Sequence, residues 1–226
     1  MLTDRFFIFD LDGTLSDPAV GIERSLNHAL QSLGYPPVSH ERIGRYIGPP
    51  LDNIFADIIG TEDPESIAAL VAGYRECYAE LGYLENRLYP GIPKALGQLS
   101  ERGLRMGICT SKRRDFAERI LENFGIRHYF RFVSGGDVGV QKEQQLAALL
   151  FSGEIPHFAA MFGDRDVDVH AAKANGLLSV AVLWGYGSRE ELAAACPDML
   201  LNRPADLVLH LPDMLEYTRI KKSQNV

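Results

Sequence analysis

Short apolar runs alternate with longer amphipathic stretches along this chain, and that rhythm limits the available folds more than any other feature. The runs fall at residues 6–9, 104–109, 130–133, 158–162 and 177–183, each closed by turn or polar residues. A strand that is apolar at consecutive positions is buried on both faces, as happens where helices cover both sides of a parallel sheet. The expected fold is therefore α/β, a three-layer Rossmann-like core around a parallel sheet. Residues 199–201 add a short candidate edge strand.

Residues 16–87 break the rhythm with helical spacing and no convincing strand. Ile22, Leu26, Ala29, Leu30 and Leu33 fall on one helical face, and Gly34 with Pro36-Pro37 ends that helix. Helices are also expected over 51–58 and 64–81, the latter with Pro64 in its first turn. The economical reading is an all-helical insertion directly after the first strand, with Tyr89-Pro90-Gly91 marking the return. The expected domains are residues 1–15 with 88–226 as the core, and 16–87 as the insertion. There is no internal repeat or low-complexity tract, and residues 221–226 are expected to fray.

Composition narrows the partners. The 226-residue chain has a formal charge of -7 and a pI of about 5.4. Polyanion binding needs clustered Lys and Arg that release counterions, so no nucleic-acid scaffold is expected as a partner. No apolar run approaches the roughly 18 residues of a membrane span, and the amino terminus lacks a signal peptide's basic flank, so no membrane and a cytoplasmic location are expected. Cys77, Cys109 and Cys196 are odd in number and irregularly spaced, which suits buried free thiols better than a disulfide framework or a thiolate zinc site. The acidity poses one problem: the whole-chain field would repel an anionic substrate.

Carboxylates gather at the ends of the runs. The first leads into Phe9-Asp10-Leu11-Asp12-Gly13-Thr14-Leu15. Alternation sets Asp10 and Asp12 on one side at the carboxyl end of a strand, where open parallel sheets bind ligands, and Gly13 permits a sharp turn. Carboxylates this close repel, so a hard divalent cation or a shared proton is needed to hold them. A second group is Gly163-Asp164-Arg165-Asp166-Val167-Asp168. With a helix beginning near Arg165, Asp164 lies at its cap and Asp168 one turn further on the same face. Capping explains one or two of these aspartates but not three. Asp166 points away and reads as a solvated charge. Between the two groups, Ile108-Cys109-Thr110-Ser111-Lys112 offers a hydroxyl and N–H groups opening a helix, an anion site. Lys142 precedes an apolar helix and could supply a point charge; taken alone it reads as an exposed lysine.

Together these motifs resemble the haloacid dehalogenase-like hydrolase superfamily, whose members are mostly magnesium-dependent phosphatases. The resemblance spans nearly the whole chain, through Asp10-Leu11-Asp12-Gly13-Thr14, the Thr110 strand end, Lys142 and Gly163-Asp164-Arg165-Asp166-Val167-Asp168. The helical insertion is similar to that family's first-class cap. Tyr46-Ile47-Gly48-Pro49-Pro50-Leu51, Leu88-Tyr89-Pro90-Gly91 and Leu183-Trp184-Gly185-Tyr186-Gly187-Ser188 look like the branch of phosphoglycolate phosphatases and 5′-nucleotidases. Glu143 stands after Lys142 where many relatives have proline, and Arg113 follows Lys112; neither removes a reacting group.

The resemblance implies hydrolysis of a small phosphorylated metabolite. It makes Asp10 a nucleophile that forms an aspartyl-phosphate and Asp12 an acid and then a base. It implies Mg²⁺ held by Asp10, the Asp12 backbone carbonyl and Asp164, with Asp168 as a further ligand or an anchor for a metal-bound water. Thr110 and Lys142 would hold phosphoryl oxygens, and Gly13, Thr14, Ser111 and Arg45 would bind substrate, Arg45 beside Tyr46 in the cap. A monomer and a homodimer are both compatible. The nearest alternative is a phosphosugar mutase on the same site; a second is a non-catalytic phosphate-responsive binding module. A dehalogenase does not need the second carboxylate, and the Gly-x-Gly-x-x-Gly of a dinucleotide enzyme is absent after the first strand.

Overall fold

A computed structural model describes residues 5–137 and 139–216, so the expectation for residues 221–226 lies outside the described residues. In chain order, β1 (Phe6–Phe9) and β2 (Ser16–Asp17) precede three helices, α1 (Ala19–Ser32), α2 (Leu51–Ile59) and α3 (Pro64–Glu80). The chain then runs through β3 (Arg87–Leu88), α4 (Ile92–Glu101), β4 (Arg105–Arg113), α5 (Arg114–Asn123), β5 (Phe130–Gly136) and α6 (Lys142–Phe151). It ends with β6 (Ala160–Gly163), α7 (Asp166–Ala174), β7 (Leu178–Val182), α8 (Arg189–Ala194), β8 (Met199–Leu201) and α9 (Asp206–Leu209).

The apolar runs become strands because alternate side chains enter two different helical layers. Phe7 and Phe9 of β1 pack with Leu96 of α4 and Ile120 of α5, while Phe6 and Ile8 pack with Leu146 of α6 and Ala172 of α7. Each such buried side chain stabilises the fold by roughly 1.5–3 kcal/mol over its exposed state. The sheet has the order β5-β4-β1-β6-β7-β8, and every neighbouring pair is parallel. After β1 the chain builds β4 and β5 on one side, then crosses to β6 on the other. This reversal opens a crevice at the carboxyl end of β1, flanked by β4 and β6.

The helical insertion encloses its own cluster, in which Leu26, Leu30, Ile43, Phe55, Leu70 and Tyr78 are buried. Asp63 caps α3 by accepting from the Ser66 N–H at 2.9 Å, with Pro64 at the first helical turn. The antiparallel pair β2 and β3 carries the chain into and out of the insertion; two residues a strand are too few for a periodic signal. Phe116 of α5 joins the insertion's cluster and meets Tyr78 edge-on at 5.1 Å.

Two expectations need correction. The run at 104–109 continues as β4 to Arg113, so Thr110 lies inside a strand instead of opening a helix; its polar tail keeps pairing with β5 through a register shift between Thr110 and Arg113. Of the three cysteines only Cys109 is buried, Cys77 being half-buried and Cys196 exposed beyond the end of α8. No helix among the described residues is long and apolar enough to cross a membrane.

Candidate active site

The site forms where β1, β4 and β6 end together. Asp10 extends β1 by one residue, its N–H donating to the Phe162 carbonyl at 2.9 Å. That pairing aims its carboxylate into the crevice: Oδ2 lies 3.2 Å from Lys142 Nζ, and Oδ1 is buried without a hydrogen-bond partner. Asp12 is buried beside it, with Oδ2 2.8 Å from Lys112 Nζ and Oδ1 likewise unpartnered. Gly13 turns the chain at φ +86°, and a Cβ there would fall 2.1 Å from Asp164 Oδ2. Only glycine lets this turn pass over that acid.

Asp164 follows β6 and is held by two donors, the Thr14 hydroxyl to Oδ1 at 3.0 Å and the Tyr186 N–H to Oδ2 at 2.8 Å. Asp168, in the first turn of α7, accepts from the Arg165 N–H at 3.1 Å and meets Lys142 with its other oxygen. Lys142 is only 6% exposed, contrary to the surface lysine its isolated sequence context suggests, because Asp10 and Asp168 both pair with it. Carboxylate oxygens of Asp10, Asp164 and Asp168 lie within 4.8 Å of one another.

Crowding these acids together makes their charges costly. Burial, then Asp168 and Asp10, push the Asp164 carboxyl up to about 8. Burial also lifts Asp168 to about 6 against the pull of Lys142, and lifts Asp12 against the pull of Lys112. For Lys142, burial disfavours the charge, but Asp10 and Asp168 outweigh it and the ammonium stays protonated. With all four acids ionised, four carboxylates would face two ammonium groups, and the two remaining negative charges match one divalent cation. The unpartnered Asp10 Oδ1 and the all-oxygen donor set suit a hard cation such as Mg²⁺.

A cavity of about 70 Å³ reaches Asp10, Asp12 and Lys112 of these groups, whereas Lys142, Asp164 and Asp168 are not among its lining residues. Asp10, Asp12, Thr110, Ser111 and Lys112 form its floor, and Tyr46, Gly48, Pro49 and Tyr74 of the insertion form its wall. The Thr110 Oγ1 accepts from the Lys112 N–H at 3.3 Å, which leaves its own O–H to point elsewhere. The structure sets two expected binders apart. Arg45 is exposed on a 3₁₀ turn, outside the cavity lining, while Tyr46 turns inward. Thr14 spends its hydroxyl on Asp164.

The sequence reading missed the part played by Lys112, whose Nζ pairs with Asp12 and also donates to the Tyr78 hydroxyl at 2.8 Å. Alternation does not mark it, because β4 is irregular between Thr110 and Arg113 and Thr110, Ser111 and Lys112 all line the cavity. Tyr186 was also missed. Its N–H holds Asp164 while its hydroxyl donates to Asp17 in β2, and no spacing rule links a residue after β7 to those partners.

The chain is similar to several known proteins over most of its length. The family model described as haloacid dehalogenase-like hydrolase matches residues 7–182. A 5′-nucleotidase of Pseudomonas aeruginosa is 37% identical over 194 residues, covering 84% of this chain and 87% of that protein. A phosphoglycolate phosphatase of Aquifex aeolicus is 31% identical over 208 residues, covering 90% and 95%. The crystal structure of a predicted phosphatase from Clostridium acetobutylicum superposes with a TM-score of 0.86 at 32% identity, covering 92% of this chain and 99% of that one.

Proposed function

The chain belongs to the haloacid dehalogenase-like hydrolase family and is a hydrolase of phosphoric monoesters, and we propose that it cleaves a small ester of the phosphoglycolate or nucleoside-monophosphate kind with Asp10 as nucleophile. One observation carries the assignment of Asp10: in this cavity-lining residue Oδ2 is held by Lys142 while Oδ1 is buried and left without a partner. Such an oxygen is oriented in advance for attack.

In the first half-reaction Asp10 Oδ1 forms a bond to phosphorus as the ester P–O bond breaks, and Asp12 gives a proton to the departing alkoxide. In the second, a water loses a proton to Asp12 and attacks phosphorus, the bond to Asp10 breaks, and inorganic phosphate leaves. Burial favours the protonated form of Asp12, which suits it to the acid role. Lys142 and the Thr110 hydroxyl steady the phosphoryl oxygens as charge shifts during transfer. Ser111 and Lys112 face the same cavity and would contact the ester. Mg²⁺ held by Asp10, Asp164, Asp168 and the Asp12 carbonyl would offset the remaining carboxylate charge, so that the acids no longer repel the phosphate.

Asp10→Asn removes the nucleophile and keeps the shape. Phosphate release from p-nitrophenyl phosphate with Mg²⁺ is expected to fall by at least about 10³-fold. Activity within tenfold of the wild type would count against the assignment.

A further inference from the structure

The cavity wall is held from behind by contacts that the reaction does not use. Tyr46 and Gly48 put the segment Tyr46-Ile47-Gly48 on the cavity. From the insertion's side, the Tyr46 hydroxyl donates to Asp57 Oδ2 at 3.1 Å. From the core's side, the Arg165 guanidinium donates through Nη1 to the Ile47 carbonyl at 2.5 Å and through Nε to Glu191 Oε1 at 2.8 Å. Glu191 is itself fixed: the same Oε1 accepts from the Asp166 N–H at 3.1 Å, and the Glu191 N–H donates to Ser188 Oγ at 3.0 Å.

Shape specifies the same contact. Gly48 sits at φ +111°, and a Cβ there would lie 3.0 Å from Arg165 Cγ. Meanwhile the Arg165 backbone N–H donates to Asp168 Oδ2 at 3.1 Å. One residue therefore grips an acid of the cluster with its main chain and the wall of the cavity with its side chain.

We propose that Arg165 is a positioning residue that pins the Tyr46-Ile47-Gly48 segment over the site and so ties the placement of the helical insertion to the acid cluster. A wall fixed in this way orients the leaving group and keeps water out. The guanidinium fork serves this better than lysine, since a single ammonium cannot match its fixed geometry toward the Ile47 carbonyl and Glu191 together. The benefit to catalysis rests on the phosphatase reading above; the latch itself does not.

Hydrogen–deuterium exchange on the full chain separates the two. Arg165→Ala is expected to speed amide exchange across residues 43–55 by about tenfold or more, with exchange in α7 beyond Asp166 unchanged because the N–H to Asp168 is main chain. Arg165→Lys should give a smaller increase in the same segment, and it carries the test if the alanine variant does not fold. With a hydrolysed ester, Arg165→Ala should raise KM about fivefold or more while kcat moves less than about threefold. Gly48→Ala should act in the same direction, and the double variant should be no worse than the stronger single one. Unchanged exchange in residues 43–55, or equal acceleration throughout the chain, overturns the proposal. The exchange result reads the latch even if no phosphate ester is turned over.

Discussion

At Asp164 the fold works against charge, and this gives the site a pH signature. The group rises from 3.8 to about 8, so the folded chain keeps a proton that the unfolded chain releases. Its contribution to stability is fully present below the unfolded value and is lost as pH rises through about 8. A bound divalent cation removes that penalty by taking the proton's place. Without metal, the melting temperature is expected to fall between about pH 6 and pH 8.5, and Mg²⁺ should raise it more at the higher pH. Differential scanning fluorimetry at both pH values, with and without MgCl₂, checks this; an equal shift at both would count against the metal assignment.

In the helices, the same spacing rule succeeds at one position and fails at another. Leu26 and Leu33 lie on one predicted face of α1, yet Leu26 is fully buried whereas Leu33 is 47% exposed just past the helix end. Periodicity identifies a face but not how far the neighbouring helices extend along it. Leu26→Ala is accordingly expected to cost about 2–5 kcal/mol in urea denaturation, whereas Leu33→Ala should stay within about 0.5 kcal/mol. The β4 extension follows a similar logic. Its apolar run ends at Cys109 because later side chains face the cavity instead of the core, but the backbone goes on pairing with β5.

For the whole molecule, the charge of -7 describes the surface better than the site. The Debye length is about 8 Å at physiological salt, so distant surface charges are screened while buried groups a few ångströms from the ester are not. Steering by a positive surface is therefore not expected, and kcat/KM for a dianionic ester should not fall as ionic strength rises from about 10 to 150 mM. Steady-state kinetics across that range tests it, and a steep fall would contradict a locally balanced, globally acidic protein. Local patterning was enough to read the parallel core, to expect helices within residues 16–87 and to single out Asp10, Asp12, Asp164 and Asp168 as candidates, because strand period, turn chemistry and carboxylate spacing act within a few residues. The partners of those acids were not legible in this way. Lys112 beside Asp12, the Tyr186 N–H on Asp164 and the Arg165 reach to Ile47 join segments up to more than a hundred residues apart. Such pairs exist because the sheet order and the packing of the insertion bring separate strand ends and loops together, and proximity created in that way leaves no periodic trace along the sequence.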